Sequence, residues 1–525
     1  MRDAVIIGSG PNGLVAANLL ADRGWNVLVL EAQPEPGGAV RSDTDVQPGY
    51  VHDTFSSFYP LAAVSPALGG LGLEAFGLDW VHAPAVIGHP LPDGDWAILH
   101  RDPELTATDL DHDHPGDGDA WLALYERWRA AGTQLTTALL QPFPPLGPGL
   151  ALLARLRRAG GLGFVRLLLE PASTLAERRF GGERARLLLT GLAAHADIPL
   201  AASGSGLMGL LLAMVGHTHG FPVPRGGAGS LTRSLTERLA TRGGELRCDS
   251  RVDSVLLDRG RAVGVRTADG ERIRTRAVIA DVPATSLYGD LIAAEDLPAR
   301  VRAAMAVFDP DPATFKIDWA LSGPVPWRTP PVVAPGTVHL ADSTDDLALA
   351  VAQVAHHRVP ARPFLLVGQM AITDPSRAPA GAESLWAYTH LPREIHADEA
   401  GVIKGGRLSA DDQERFADRV QDRLRRYAPD FDSTVLARRI LGPAELEERN
   451  EGLPDGALGG GTAGLHQQLI FRPIPGTGRP TTPFRGLYLA SSSAHPGGAV
   501  HGACGANAAR AALTAAALGR LSRSA

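Results

Sequence analysis

The chain holds only two cysteines in 525 residues, Cys248 and Cys504, far apart and in no CxxC spacing. A disulfide framework and a dithiol redox motif of the CxxC kind are thereby excluded. Lysine is as scarce: Lys316 and Lys404 stand against 48 arginines among the 50 basic residues. With abundant Ala, Gly and Pro, this reads as the codon bias of a GC-rich genome, so the arginine excess is not read as phosphate binding. No long basic run occurs and the net charge is −7, which gives nucleic-acid binding little electrostatic support. No leader precedes the first strand pattern, and cytoplasmic residence is the expectation. Membrane-spanning runs are missing too. The uncharged stretch 130–154 carries Pro142, Pro144, Pro145 and Pro148, which break a spanning helix. In the uncharged stretch 198–224, the apolar run 206–216 is too short to cross a bilayer. Buried helices, or a surface that touches a membrane without crossing it, both stay open.

What is present is a chain too long for one compact core, with 44% apolar and 20% charged residues; roughly two to four domains are expected. Its first forty residues carry the densest signal, "DAVIIGSGPNGLVAANLLADRGWNVLVLEAQPEPGGAVRS". "AVIIG" suits a buried parallel strand. The turn Gly8-Ser-Gly10-Pro11-Asn12-Gly13 follows, then a helical pattern closing at Gly24, then the strand "NVLVLE" ending on Glu31. This is the βαβ setting of a dinucleotide site. Gly8 permits the tight turn, Gly10 lets backbone approach a pyrophosphate, and Gly13 lets helix and strand pack closely. The helix N-terminus offers free N–H groups and a partial positive charge. Glu31 is placed to accept from ribose hydroxyls, and its carboxylate disfavours a 2′-phosphate.

"EAQPEPGGAVRS" then sets Gly37, Gly38 and Arg41 just after the acid. This resembles the extended fingerprint of glutathione-reductase-like flavoproteins, in the amine oxidase and phytoene desaturase branch. The resemblance implies FAD, with the second glycine pair along the phosphate and ribityl region and the arginine supporting it. The segment "FRGLYLASSSAHPGGAVHGACGANAARAALTAAAL" (484–518) is similar to the closing FAD motif of the phytoene desaturase, or carotenoid-retinoid oxidoreductase, family. Within it, the resemblance is closest to the subgroup that includes the pyridine nucleotide-disulfide oxidoreductase domain-containing protein 2. There the turn and helix N-terminus lie beside the isoalloxazine pyrimidine edge, at the positions of Gly498, Ala499 and Val500; the usual glycine after the strand is Ser491 here. A third segment, 223–282, matches with a glycine-rich turn, a helix and alternating strands, and Val252 falls where the family's backbone meets adenine. The resemblance therefore implies a cofactor-contacting set of Gly8, Gly10, Pro11, Asn12, Gly13, Glu31, Ala32, Gly37, Gly38, Ala39, Arg41, Val252, Ser491, Gly498, Ala499 and Val500.

The expected architecture is α/β: a discontinuous Rossmann-type FAD domain of the glutathione reductase kind (1–64, 216–290 and 441–525) with an α+β substrate domain (65–215 and 291–440). Residues 65–215 read as mostly helical. Residues 290–440 mix strands with one clear helix starting at a Ser409 cap and stopping near Pro429. In the family these inserts form an apolar tunnel over the flavin. Only one complete dinucleotide fingerprint occurs, which argues for oxygen, a quinone or another membrane acceptor as the electron acceptor.

Candidates for chemistry are few. His495 in "SAHPGG" belongs to the turn the family sets beside the flavin, where it orients the ring, exchanges a proton, or fixes the turn through backbone bonds; His501 caps the helix or acts similarly. His52 with Asp53 offers a proton-shuttling couple, or Asp53 bonds loop amides. Lys316, one of two lysines in a chain that otherwise uses arginine, suggests a need for a compact or deprotonatable amine, as a lysine holds a water near the flavin in related amine oxidases, or it is a strand lysine. The run "DLDHDHPGDGD" reads as an acidic solvated loop, and no metal is expected. The implied reaction is dehydrogenation, saturation or isomerisation at C–C bonds of an apolar polyene-like or natural-product substrate. An amine oxidase releasing hydrogen peroxide and a non-catalytic FAD scaffold stay open as alternatives. Oligomeric state is not legible.

Overall fold

The computed structural model describes residues 1–476 and 478–521. Two seven-stranded sheets organise it. In the first, the buried strand β1 (Arg2–Ile7) lies parallel to β2 (Val27–Leu30) on one side and to Arg272–Ala280 on the other. Glu245–Arg247 extends the sheet beyond β2, and Leu487–Leu489 adds in parallel to Arg272–Ala280. The Val252–Asp258 and Arg261–Thr267 hairpin pairs antiparallel with the start of Arg272–Ala280. The buried cores of these strands, 4–7, 27–30 and 277–280, are Val, Ile, Leu and Ala alone, as a helix-covered parallel sheet demands. Their carboxyl ends deliver Gly8, Glu31, Asp281 and Ser491 to one side of the sheet, where an open α/β sheet places its ligand.

Helix α1 (Pro11–Ala21) follows the glycine turn, with Pro11 in its first turn where a missing N–H costs nothing. The closing helix Ala503–Ala517 packs across α1. Small residues make this crossing, and at its tightest point a β-carbon on residue 505 would stand 1.8 Å from the Asn12 carbonyl oxygen. Gly13 is equally constrained, since its β-carbon would lie 2.4 Å from the Gly8 oxygen.

The second sheet runs in the order Val435–Leu441, Ala313–Leu321, Glu383–Leu391, Leu365–Gln369, Pro335–Leu340, Ala85–Pro90, Trp96–Leu99. On Glu383–Leu391 the period of two is clear: Leu385, Ala387 and Leu391 enter the core under the helix Ala410–Arg425, while Trp386, Tyr388 and His390 take the other face. The helix Ala410–Arg425 begins as expected, Ser409 Oγ accepting from the Asp412 N–H at 3.2 Å. Residues 65–215 are less purely helical than their pattern suggests, because Ala85–Pro90 and Trp96–Leu99 form a hairpin at the edge of this sheet. The acidic run is solvated as expected at 111–116 and 119, but it is largely helical rather than a loop, spanning the end of helix Pro103–Asp113 and the start of Asp117–Leu139. Asp117 is buried there, accepting from the Gly181 and Gly182 N–H groups at 2.8 Å each.

The crossing predicts a positional result. Gly505→Ala should cost about 1–3 kcal/mol through overpacking and lower the bound-flavin absorbance per protein. Gly289→Ala, whose β-carbon meets open space, should do neither; thermal unfolding and flavin-to-protein absorbance ratios read both.

Candidate active site

Between the first sheet's carboxyl ends and the second sheet lies a cavity of about 770 Å³. One end is walled by Glu31, Ala32, Arg251 and Val252, the middle by Gly8, Gly10, Pro11, Asn12, Gly38 and Ala39, and the far side by Ser491, His495, Gly498, Ala499 and Val500. Beyond these the lining turns apolar, with Phe58, Leu168, Leu207, Met208 and Leu211.

Glu31 is held by its own turn: the Ser9 N–H and hydroxyl donate to Oε2 at 2.8 and 2.6 Å, and the Gln33 N–H to Oε1 at 3.0 Å. The glycines make the floor. A β-carbon on Gly38 would stand 3.0 Å from the Gly10 Cα, and one on Gly498 would stand 3.0 Å from the Gly459 Cα. Ala499 holds a positive φ of 84°, a strained conformation for a residue with a β-carbon. Asn12 Oδ1 and His495 Nδ1 are buried with no protein partner. Glycine-thinned walls, two helix N-termini, a ribose-type acceptor and orphaned polar atoms along one elongated cavity fit FAD.

Of the expected cofactor contacts, Gly13, Gly37 and Arg41 do not reach the cavity wall. Gly13 and Gly37 instead keep the turn closed, the Gly37 N–H donating to the Ser9 carbonyl at 3.1 Å. Arg41 stands one layer back, donating to the Arg449 carbonyl with its guanidinium 5.3 Å from the Phe55 ring centroid. That bond steadies the neighbouring Asn450, which does line the cavity.

The three catalytic candidates separate. His495 lines the cavity, its Nε2–H donating to the Gln141 carbonyl at 2.9 Å. Burial pulls its imidazole down to about 4, so it is neutral. His501 is likewise pulled down to about 4 by burial, and its Nδ1 accepts from the Ala503 N–H at 3.0 Å, capping the closing helix. Lys316 and His52 lie outside the cavity lining. Lys316 pairs with Asp318, which Arg439 also binds at 2.7 Å while reaching Asp43 at 2.6 Å; Lys316 is thus one charge in a buried ion chain. His52 donates to the Trp319 carbonyl at 3.1 Å. Asp53 accepts from the Ala228 N–H and Ser42 Oγ and pairs with Arg377 at 2.9 Å. His52 and the Asp43–Arg439 pair tie segment 42–54 to the second sheet, while Asp53 ties it to Ala228 and to Arg377 of the short helix Pro375–Arg377. Cys504 is buried with its thiol pushed up to about 12 by burial and faces the Ala494 and Gly497 carbonyls.

Other cavity groups carried no motif. His390 and Asp197 contact at 2.7 Å on the apolar side, beside Tyr388. Burial opposes the His390 charge, but the Asp197 carboxylate prevails and raises its pKa above the ordinary value. Asp197 holds a φ of 59°. His195, also lining the cavity, bonds His339 at 2.9 Å and is pulled down to about 4 by burial. Arg472 is buried and donates to the carbonyls of Gly459, Thr462 and Ser492 at 2.8, 3.0 and 2.7 Å, fastening the glycine loop to the flavin-side turn. Among the described residues no group of three or more His, Cys, Asp or Glu is arranged to hold a metal ion.

Fold and site together define an FAD-dependent oxidoreductase. The chain belongs to the flavin containing amine oxidoreductase family, whose model matches residues 12–513. It is 30% identical to the mouse pyridine nucleotide-disulfide oxidoreductase domain-containing protein 2 over 97% of this chain and 92% of that protein. It is 25% identical to the chloroplastic prolycopene isomerase of Arabidopsis thaliana, over 95% of this chain and 80% of the relative. Among solved structures, putrescine oxidase bound to putrescine superposes with a TM-score of 0.63 at 18% identity, covering 98% of this chain and 99% of that one.

Asp281 yields a pH dependence. Its Oδ2 accepts from the Gly13 N–H at 2.7 Å, under the glycine turn. Burial pushes this carboxyl up to about 7, aided by the Glu31 charge and opposed by the Gly13 bond; the buried Cys504 thiol nearby stays neutral. A carboxyl that loses its proton as pH rises repels an anionic pyrophosphate. FAD should therefore bind the apoprotein roughly tenfold more weakly at about pH 8.5 than at about pH 6. Asp281→Asn should flatten that profile in a flavin-fluorescence titration, and an unchanged profile contradicts the assignment.

Proposed function

We propose that the protein dehydrogenates C–C bonds, or saturates or isomerises them, in an apolar polyene-like or natural-product substrate. The observation that carries this reading is the lining beyond Ser491–Val500: Phe58, Leu168, Leu207, Met208 and Leu211 make a wall for hydrocarbon. The carotenoid name borne by the Arabidopsis relative supports the same class. Amine oxidation is the rival reading, on the strength of the putrescine oxidase superposition. The polyene reading is preferred because the cavity carboxylate best placed to receive an ammonium, Asp197, already faces His390.

In this account residues 1–64, 216–290 and 441–525 hold the cofactor, and residues 65–215 and 291–440 hold the substrate. Bound FAD supplies the two-electron acceptor. The chain's part is to place the reacting carbon, keep water out, and take up the proton that desaturation leaves behind. The apolar wall performs the first two tasks. His390, poised by Asp197, takes the proton, while neutral His495 orients the cofactor side. The enzyme works in the cytoplasm and at the membrane surface, and passes electrons to oxygen or a quinone.

Anaerobic mixing tests the substrate class. Acyclic isoprenoid polyenes in detergent should bleach the flavin absorbance, and diamines should not; bleaching by amines alone, with peroxide released on aeration, would overturn the reading. The proton acceptor gives a second test. A base works only once deprotonated, so the rate should rise with pH, with its midpoint above about 6.5. Asp197→Asn removes the charge that raises His390, leaving the more distant Asp311 and the downward pull of burial, so the midpoint should move to lower pH.

A further inference from the structure

Helix Leu146–Leu156 has no buried residue, although seven of its eleven residues are Leu or Ala. Leu146, Leu150 and Leu153 are 75%, 69% and 63% exposed, at spacings of four and three that align them on one face. The next helix, Leu162–Leu169, repeats the arrangement with Leu162 at 82% exposure and Leu169 at 52%. Isolated surface leucines are ordinary, but two adjoining helices with leucine stripes form a patch that calls for a partner.

The charge around the patch identifies that partner's chemistry. From residue 130 to residue 169 there is no Asp or Glu, while Arg155, Arg157, Arg158 and Arg166 are all exposed. In a chain of net charge −7 this is a local reversal of sign. Leucines flanked by arginines match a layer of anionic headgroups over acyl chains. The patch also adjoins the cavity: Val165 and Leu169 are exposed and at the same time line it, with Leu168 and Leu140 behind them. The apolar patch is thus the rim of the cavity mouth.

We propose that the segment 142–169 docks on an anionic phospholipid surface, with the leucine stripes in the headgroup boundary, so that an apolar substrate passes from the bilayer into the cavity without crossing water. Among the described residues no helix is long and apolar enough to span a membrane, so the contact is interfacial. The delivery role rests on the apolar-substrate reading above; the docking itself does not.

The test uses the flavin-loaded, full-length protein and vesicle flotation. Wild type should float with vesicles of phosphatidylcholine containing about a third phosphatidylglycerol, and bind pure phosphatidylcholine at least about tenfold less. Leu146→Glu/Leu150→Glu/Leu153→Glu should lose vesicle binding at any salt. Arg155→Gln/Arg157→Gln/Arg158→Gln should lose the preference for the anionic lipid and its sensitivity to added salt. None of these six residues lines the cavity, so both variants should keep their flavin spectrum and their bleaching by detergent-dissolved substrate. Failure of wild type to float, or flotation of the leucine variant as wild type, overturns the docking. A leucine-dependent dimer in sedimentation, without vesicle binding, also overturns it and assigns the patch to a second copy of the chain. Flotation without bleaching by any apolar substrate would leave docking standing and remove the substrate reading.

Discussion

The Asn12 carbonyl oxygen occupies nearly the place where a side chain on residue 505 would begin, and much of the site depends on that contact. It brings the first turn of α1 against the first turn of the closing helix, so two helix N-termini from opposite ends of the chain face one cavity. Each end carries the partial positive charge of a helix N-terminus, although Asp281 takes the Gly13 N–H and His501 the Ala503 N–H. A single such terminus favours a phosphate. Two in succession suit an elongated anionic cofactor whose reduced ring also gains negative charge. The small-residue sequence of the last helix, dominated by Ala and Gly, is the means by which the backbones approach this closely.

The second constraint is how the two sheets stay in register across the cavity. Segment 42–54 follows the glycine pair and is bound by charge to the second sheet through Asp43 and to the short helix Pro375–Arg377 through Asp53. Asp43 reaches Arg439, Arg439 reaches Asp318, Asp318 holds Lys316, and Asp53 pairs with Arg377. Buried charges in such a chain are retained as a set, because removing one strands its partner in a low-dielectric interior. Burial pulls Lys316 down while Asp318 opposes the shift. The cavity is treated differently. His195, His495 and His501 are kept neutral, and the His390–Asp197 pair is where an imidazolium is favoured. An apolar chamber with one polarised couple at its wall suits chemistry that moves a single proton beside a two-electron acceptor.

That the glycine turn, Glu31, Val252 and the closing motif share one cavity is legible because each lies in a contiguous segment whose strand–turn–helix order is itself the signal. Gly13, Gly37 and Arg41 belong to the same motifs but stand behind the cavity wall, a distinction of a few ångströms that spacing does not carry. Asp197, His390, Asp281 and Arg472 line the cavity without a motif to mark them. They come from four separate segments and become a site only when the sheets are assembled. The alternation in "ESLWAYTHL", which sends Trp386, Tyr388 and His390 to one face, was the available trace of His390. The hairpin 85–99 sits inside a stretch of helical pattern, and Asp93-Gly94 at its turn is the one local sign of it. Scarcity made Lys316 conspicuous, yet its burial in an ion chain explains a compact amine as well as catalysis does.

The cavity runs from Glu31 past Gly10 to Gly498 and opens beyond into an apolar chamber toward His390, and the proposal sets the cofactor along that line. A crystal structure of the yellow, flavin-loaded protein tests this most directly. The account predicts adenosine density beside Glu31 and Val252, a pyrophosphate at the N-terminus of α1, and the ring system against the 491–500 turn, with Leu207, Leu211 and His390 across from it. Ring density at the Glu31 end, or a flavin bound outside the cavity between the two sheets, would contradict it.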